Sequence, residues 1–167
     1  MKAELYLVDR LSTRVATYED LDVLVTFVNH GFAEDNYPFR DSDFTHREEI
    51  ARLLETGCFL LTEVEGKTEI AAAIYVELRD KHRGYLAMLT INPNVHPSVG
   101  KKMIRAGEAF CCEHGCRIVE GVVLASKTEL TVAYLRCGFQ IVREVAYRRS
   151  EILVQPSSIF LLEKSLV

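Results

Sequence analysis

The stretch NPNVHPSVGKKM, Asn92 to Met103, joins a β-type run to a helical one. Ser98, Val99, Gly100, Lys101 and Lys102 would place consecutive backbone N–H groups at the start of that helix. Such groups, with the positive end of the helix dipole, suit an anion such as a phosphate, and the two lysines add charge nearby. Pro97 has no N–H to give, and the stretch holds a single glycine. A plain helix start capped by Ser98 therefore fits the same residues. Glu77 stands in the otherwise apolar run IYVELRD, where a carboxylate lies either on a solvent face or in a cleft in which it could accept a proton. Glu34, Asp35, Asp41 and Asp43 form an acidic segment that is either simply solvated or able to draw a cationic amine. The string CCEHGC offers Cys111, Cys112, His114 and Cys116, but adjacent cysteines point to different sides of a helix and no CxxC pair is present. Buried, reduced thiols at a helix end are the expectation, and no metal.

The elements that would carry these residues alternate without repeats or linkers. A helical run opens at Tyr18, with Leu21, Leu24, Val25 and Val28 on one face. Thr45-His46-Arg47-Glu48 reads as a capping box for a second helix that stops at Gly57. CFLLTEVEG and TEIAAAIYVELRD read as a hairpin turning at Glu65-Gly66-Lys67. A strand from Tyr85 to Pro93, a helix from Val99 to Gly115 and a strand from Arg117 to Ser126 make a βαβ unit with parallel strands. A short helix, ELTVAYLRC, ends at Gly138, and two strands follow around FQIVREVAY and SIFLLEKSL. The class is α/β with a mixed sheet, in one domain spanning residues 1–167.

Hydrophobic residues make up 49% of the 167 and charged ones 26%, the balance of an ordinary globular protein. A net charge of -4 gives no reason to approach nucleic acid or an anionic membrane. Neither a secretory leader nor a transmembrane run is legible, so a cytoplasmic location is expected. No GxxxxGKS/T, GxSxG or HExxH string is present to support an NTPase, serine hydrolase or zinc protease. Ile159, Phe160, Leu161 and Leu162 could serve a core strand or a homodimer contact, the core strand being the expectation.

Taken together, YLAMLTINPNVH, GKKMIRAGEAFCCEHG and AYLRCGF resemble the GNAT superfamily of acyl-CoA-dependent N-acyltransferases: the strand with an apolar-x-Pro step, the helix behind the cofactor loop, and the tyrosine-to-Gly-Phe segment. The likeness in element order runs from about Arg14 to the last strand. It is closest to a bacterial and fungal branch with a YxGML-type strand and an R-x-E-L helix start, here YLAML and KTEL. The resemblance implies a GNAT-like mixed central sheet flanked by helices, acetyl-CoA as co-substrate, and a small-molecule or peptide amine as acceptor. It further implies that the Leu89 N–H faces the thioester carbonyl, that the Ile91 backbone pairs with the pantetheine arm, and that Tyr134 is the acid protonating the leaving thiolate. Glu77 is then the candidate base. His96 falls at the loop's usual Gln/Arg position and Gly100 matches its final glycine only with one residue deleted, while Lys127 stands where many members carry a cofactor-binding Asn. The same fold could also serve as a non-catalytic or regulatory module with weakened CoA binding.

Overall fold

The computed structural model describes residues 11–33, 43–147 and 157–167. Its elements run β1 (Leu11–Val15), a 3-10 turn (Tyr18–Asp20), α1 (Leu21–Ala33), α2 (Arg47–Thr56), β2 (Cys58–Val64), β3 (Ile70–Leu78), β4 (Arg83–Ile91), α3 (Ser98–Glu113), β5 (Ile118–Leu124), α4 (Thr128–Arg136), β6 (Gln140–Ala146) and β7 (Ser158–Ser165). Among the described residues the strands form one seven-stranded sheet in the order β1-β2-β3-β4-β5-β7-β6. Of these described strands only β4 and β5 pair in parallel, joined through α3, as the βαβ pattern requires. The expected mixed α/β class is the observed one.

Both faces of the sheet are covered, which is why β2, β3 and β4 are apolar almost throughout instead of alternating. On one face α3 and α4 bury Leu60, Ile74, Leu86, Met103, Val119 and Leu162 in a single cluster. On the other, α1 and α2 press Leu21, Leu24 and Ile50 onto Phe59, Leu61 and Tyr75. A fully buried side chain of this size contributes roughly 1.5–3 kcal/mol, so these two layers dominate the folding energy. Gly31 lets α1 settle against β4, since a Cβ there would collide with the Thr90 Cγ2 methyl.

The local signals place the helices with small shifts. The run opening at Tyr18 begins as a 3-10 turn in which the Thr17 N–H donates to the Asp20 carboxylate at 2.7 Å. Arg14 grips the same carboxylate at 2.7 and 2.8 Å and reaches Glu63 on β2 at 2.6 Å, tying β1 to the start of α1. The N-cap of α2 is His46, not Thr45: its ring accepts the Glu49 N–H at 3.3 Å. Thr45 is instead buried, its backbone bracketed by the Asn29 side chain at 2.8 and 2.9 Å, and its hydroxyl donates to Glu49 at 2.7 Å. At the end of α3 the Cys116 and Gly115 N–H groups donate to the Cys111 and Cys112 carbonyls at 2.9 and 3.0 Å. This reversal uses Gly115 at φ 83°, a conformation that costs glycine least. Cys111 and Cys116 are buried there and Cys112 is exposed, so the cysteine-rich string closes a helix. Among the described residues no group of His, Cys, Asp and Glu is placed to hold a metal, and no helix is long and apolar enough to cross a membrane.

Candidate active site

The site begins with an irregularity in β4. Ala73 pairs with Thr90 and Tyr75 with Ala87, so Met88 and Leu89 together lie opposite the single residue Ile74. Met88 takes φ 54°, the left-handed region that an unbranched side chain enters only when its surroundings hold it there. Its carbonyl accepts the Thr90 hydroxyl at 3.0 Å. Such a bulge bends and twists the strand. The parallel ladder to β5 accordingly ends at Leu86 and Gly121, although β4 continues to Ile91 and β5 to Leu124. Beyond that rung the two strands part, leaving backbone groups on their facing edges without a strand partner. A wedge of this kind can accept an extended chain that carries amides.

Tyr134, on α4, stands over the last rung. A Cβ on Gly121 would come 3.1 Å from the ring, and Phe139 packs edge-on to it at 5.1 Å. The side chain is wholly buried, and its hydroxyl is the one buried side-chain polar atom among the described residues with no hydrogen-bond partner. Burial pushes the phenol well above its ordinary pKa, so it holds its proton at neutral pH. An unpaired buried hydroxyl is costly unless a ligand completes it, and a thiolate leaving beside it would be such a partner.

The loop between β4 and α3 is more self-contained than its sequence suggests. Asn92 fixes its start, donating from Nδ2 to Glu69 at 2.8 Å while its Oδ1 accepts the Asn94 N–H at 2.9 Å. Pro97 is the N-cap, in helical conformation. The Ser98 N–H donates to His96 Nδ1 at 3.1 Å, the Val99 N–H to the His96 carbonyl at 3.0 Å and the Gly100 N–H to the Pro97 carbonyl at 3.2 Å. The first three donors of α3 thus have acceptors within the chain. An anion would have to displace these bonds or rely on the exposed Lys101 and Lys102.

The remaining sequence-derived residues divide by position. Leu89 is buried under α3, with its backbone in the bulge. Ile91 is half-buried at the end of β4, and a Cβ on Gly100 would come 2.7 Å from its Cδ1, so the start of α3 lies on the wedge. Lys127 N-caps α4, but its Nζ sits over the Phe32 ring, 4.3 Å from the centroid, on the α1 side. Glu77 is not brought to the wedge. It pairs across with Tyr85, four residues short of Leu89, roughly 13 Å at strand rise. It accepts the Tyr75 hydroxyl at 2.8 Å and lies 3.7 Å from Arg79. Arg79 in turn covers the Tyr85 ring at 3.6 Å and reaches Glu120 at 3.6 Å. Glu34, Asp35 and Asp41 lie outside the described residues, and Asp43 is exposed.

Two parts of the site escape sequence reading. The Met88 bulge has no glycine to mark it. Gly121 did leave a signal, since a glycine within a strand pattern indicates close approach by another group, here the Tyr134 ring.

No protein-family model matches the sequence, and no curated protein matches it. Solved structures do. A GNAT-family acetyltransferase from Streptococcus pneumoniae superposes with a TM-score of 0.68 at 19% identity, covering 94% of this chain and 99% of that one. A ribosomal-protein-alanine N-acetyltransferase from Brucella melitensis gives 0.74 at 15% identity, covering 93% and 99%. A GNAT-family acetyltransferase from Elizabethkingia anophelis with acetyl-CoA bound gives 0.66 at 14%, covering 95% and 99%. With a seven-stranded mixed sheet, a parallel β4-β5 pair and near-complete mutual coverage, the chain has the fold of the GNAT acetyltransferases.

Proposed function

We propose that the protein transfers an acetyl group from acetyl-CoA to a primary amine by direct attack within a ternary complex. The observation that carries this reading is the fully buried, unpartnered Tyr134 hydroxyl above the rung where β4 and β5 part. The pantetheine arm lies in the wedge along Ile91, and the Leu89 N–H stabilises the oxyanion that grows on the thioester carbonyl. The amine nitrogen bonds to that carbon, the C–S bond breaks, and Tyr134 gives its proton to the sulfur. The ammonium proton leaves through water, because Glu77 is held by Tyr75 and Arg79 at a distance. Lys101 and Lys102 face the phosphates. The strings YLAML and KTEL support a kinship with the YxGML-type branch.

A second reading, a regulatory module that binds CoA weakly, draws support from the Ser98, Val99 and Gly100 N–H groups being satisfied internally. Thermal unfolding with acetyl-CoA, CoA and a control nucleotide separates the two, since a ligand at a hundred times its Kd stabilises the native state by about 2.7 kcal/mol. A shift with both CoA species, lost in Gly100→Glu and in Lys101→Glu/Lys102→Glu but kept in Tyr134→Phe, supports the enzyme. Absence of any shift at millimolar CoA defeats it.

A further inference from the structure

Resting on that reading, we infer that the acceptor is a monoamine carried on an apolar or aromatic body, seated against Phe44, Met88 and Ile159 on the α1 side of the wedge. The α3 side is closed to it: Leu89, Val95, Val99, Val123 and Tyr134 there belong to one buried cluster. That leaves the opposite face of the sheet for the acceptor. On that face both arms of the wedge, Met88 of β4 and Leu124 of β5, pack into the same cluster with Val28 and Phe32. Phe44 stacks on Phe32 with centroids 3.9 Å apart, and Phe44, Met88, Tyr147 and Ile159 are only half-buried at its rim.

The chemistry of this surface selects its ligand. Aromatic and branched side chains reward an apolar body and cannot compensate the lost hydration of a polycation. Lys127 Nζ lies over the Phe32 ring at the edge of this surface. Desolvation against apolar side chains favours the neutral form of an amine. The seat therefore helps the acceptor shed the proton it must lose, in a site to which Glu77 is not brought.

The test compares 2-phenylethylamine with spermidine in two measurements. In the first, the protein is labelled at its methionine methyls, of which there are three: Met1, Met88 and Met103. 2-Phenylethylamine is expected to shift the Met88 signal and leave that of Met103, buried under the opposite face, in place. Spermidine at equal concentration shifts neither. In the second, CoA release is expected to give a kcat/KM at least tenfold higher for 2-phenylethylamine. Phe44→Ala or Ile159→Ala should raise its KM tenfold or more without changing the thermal shift produced by acetyl-CoA. A Met88 signal unmoved by 2-phenylethylamine, or a preference for spermidine in either measurement, overturns the inference while acetyl-CoA binding stands. Failure of acetyl-CoA to bind overturns the proposed function instead, and the methyl signals still decide whether the apolar seat takes an amine.

Discussion

Gly121 and Tyr134 are in contact through a missing side chain: a Cβ on Gly121 would come 3.1 Å from the tyrosine ring. The ring cannot easily retreat, because it is wholly buried and Phe139 meets it edge-on at 5.1 Å. Gly121→Ala should therefore overpack the site, lowering stability by about 1–3 kcal/mol. It should also reduce acetyl transfer beyond what the unfolded fraction explains, as the hydroxyl is pushed from the rung where β4 and β5 separate. Urea unfolding and kcat measured on the same preparation check both parts.

Tyr134→Phe should move stability and activity in opposite directions. The hydroxyl is buried without a partner, so its removal should raise the ligand-free stability by about 1 kcal/mol. Loss of the acid proposed to serve the leaving thiolate should lower kcat by about 10²- to 10⁴-fold. A variant that is no more stable than the wild type, or that turns over normally across the pH range, refutes the corresponding half.

Gly100→Ala tests how closely the helix start abuts the wedge. The new Cβ would meet only the far end of Ile91, at 2.7 Å, and a rotamer change there costs about 0.5–1.5 kcal/mol. Replacing a helical glycine by alanine returns about 1 kcal/mol, so the melting temperature should scarcely move. The displaced Ile91 side chain narrows the path expected for pantetheine, and KM for acetyl-CoA should rise several-fold. Calorimetry and steady-state kinetics on one variant are sufficient.

The Arg14 side chain, donating to Asp20, holds that carboxyl at about 2, below its usual 3.8. A folded-state pKa below the unfolded one means stability that is present above about pH 4 and lost as pH falls through 2. Because Arg14 is 42% exposed, the contribution is expected to stay within about 1 kcal/mol. Asp20→Asn should lose it at neutral pH and flatten the urea midpoint between pH 5 and pH 2. An unchanged slope in the variant counts against the pairing.

Much of the fold was legible because its signals are local. The strand before α3, α3 itself and β5 announce a parallel βαβ unit by period and length, and the structure places them within two residues. The α2 cap slipped by one position because Thr45 found a better use in tertiary structure, bonded to Asn29 and buried. Glu77 could be read as a cleft or a solvent-face residue because a lone carboxylate among apolar neighbours gives no direction along a strand, and only the β3-β4 register sets it apart from Leu89. The donors of Ser98, Val99 and Gly100 could be counted in the sequence. That they were already taken by His96 and Pro97 depends on the Pro97 backbone lying in helical conformation. The bulge at Met88 was invisible for a related reason: an unbranched apolar residue in a strand reads the same whether its φ is negative or positive.

The place of β7 between β5 and β6 also bears on the order in which the protein can be assembled during synthesis. β6 is made before β7, yet its only strand neighbour in the described sheet is β7. Until Ser158–Ser165 has been synthesised, the β5 edge stays open and β6 has nothing to pair with. The wedge can be outlined early, since β4, α3 and β5 are contiguous, but the sheet behind it closes only when a later strand slides between two earlier ones. Non-local insertion of that kind is slow and leaves edges exposed while it waits. A nascent chain paused between β6 and β7 would hold the wedge between β4 and β5 beside an unprotected strand edge, the stage at which a chaperone has most to do.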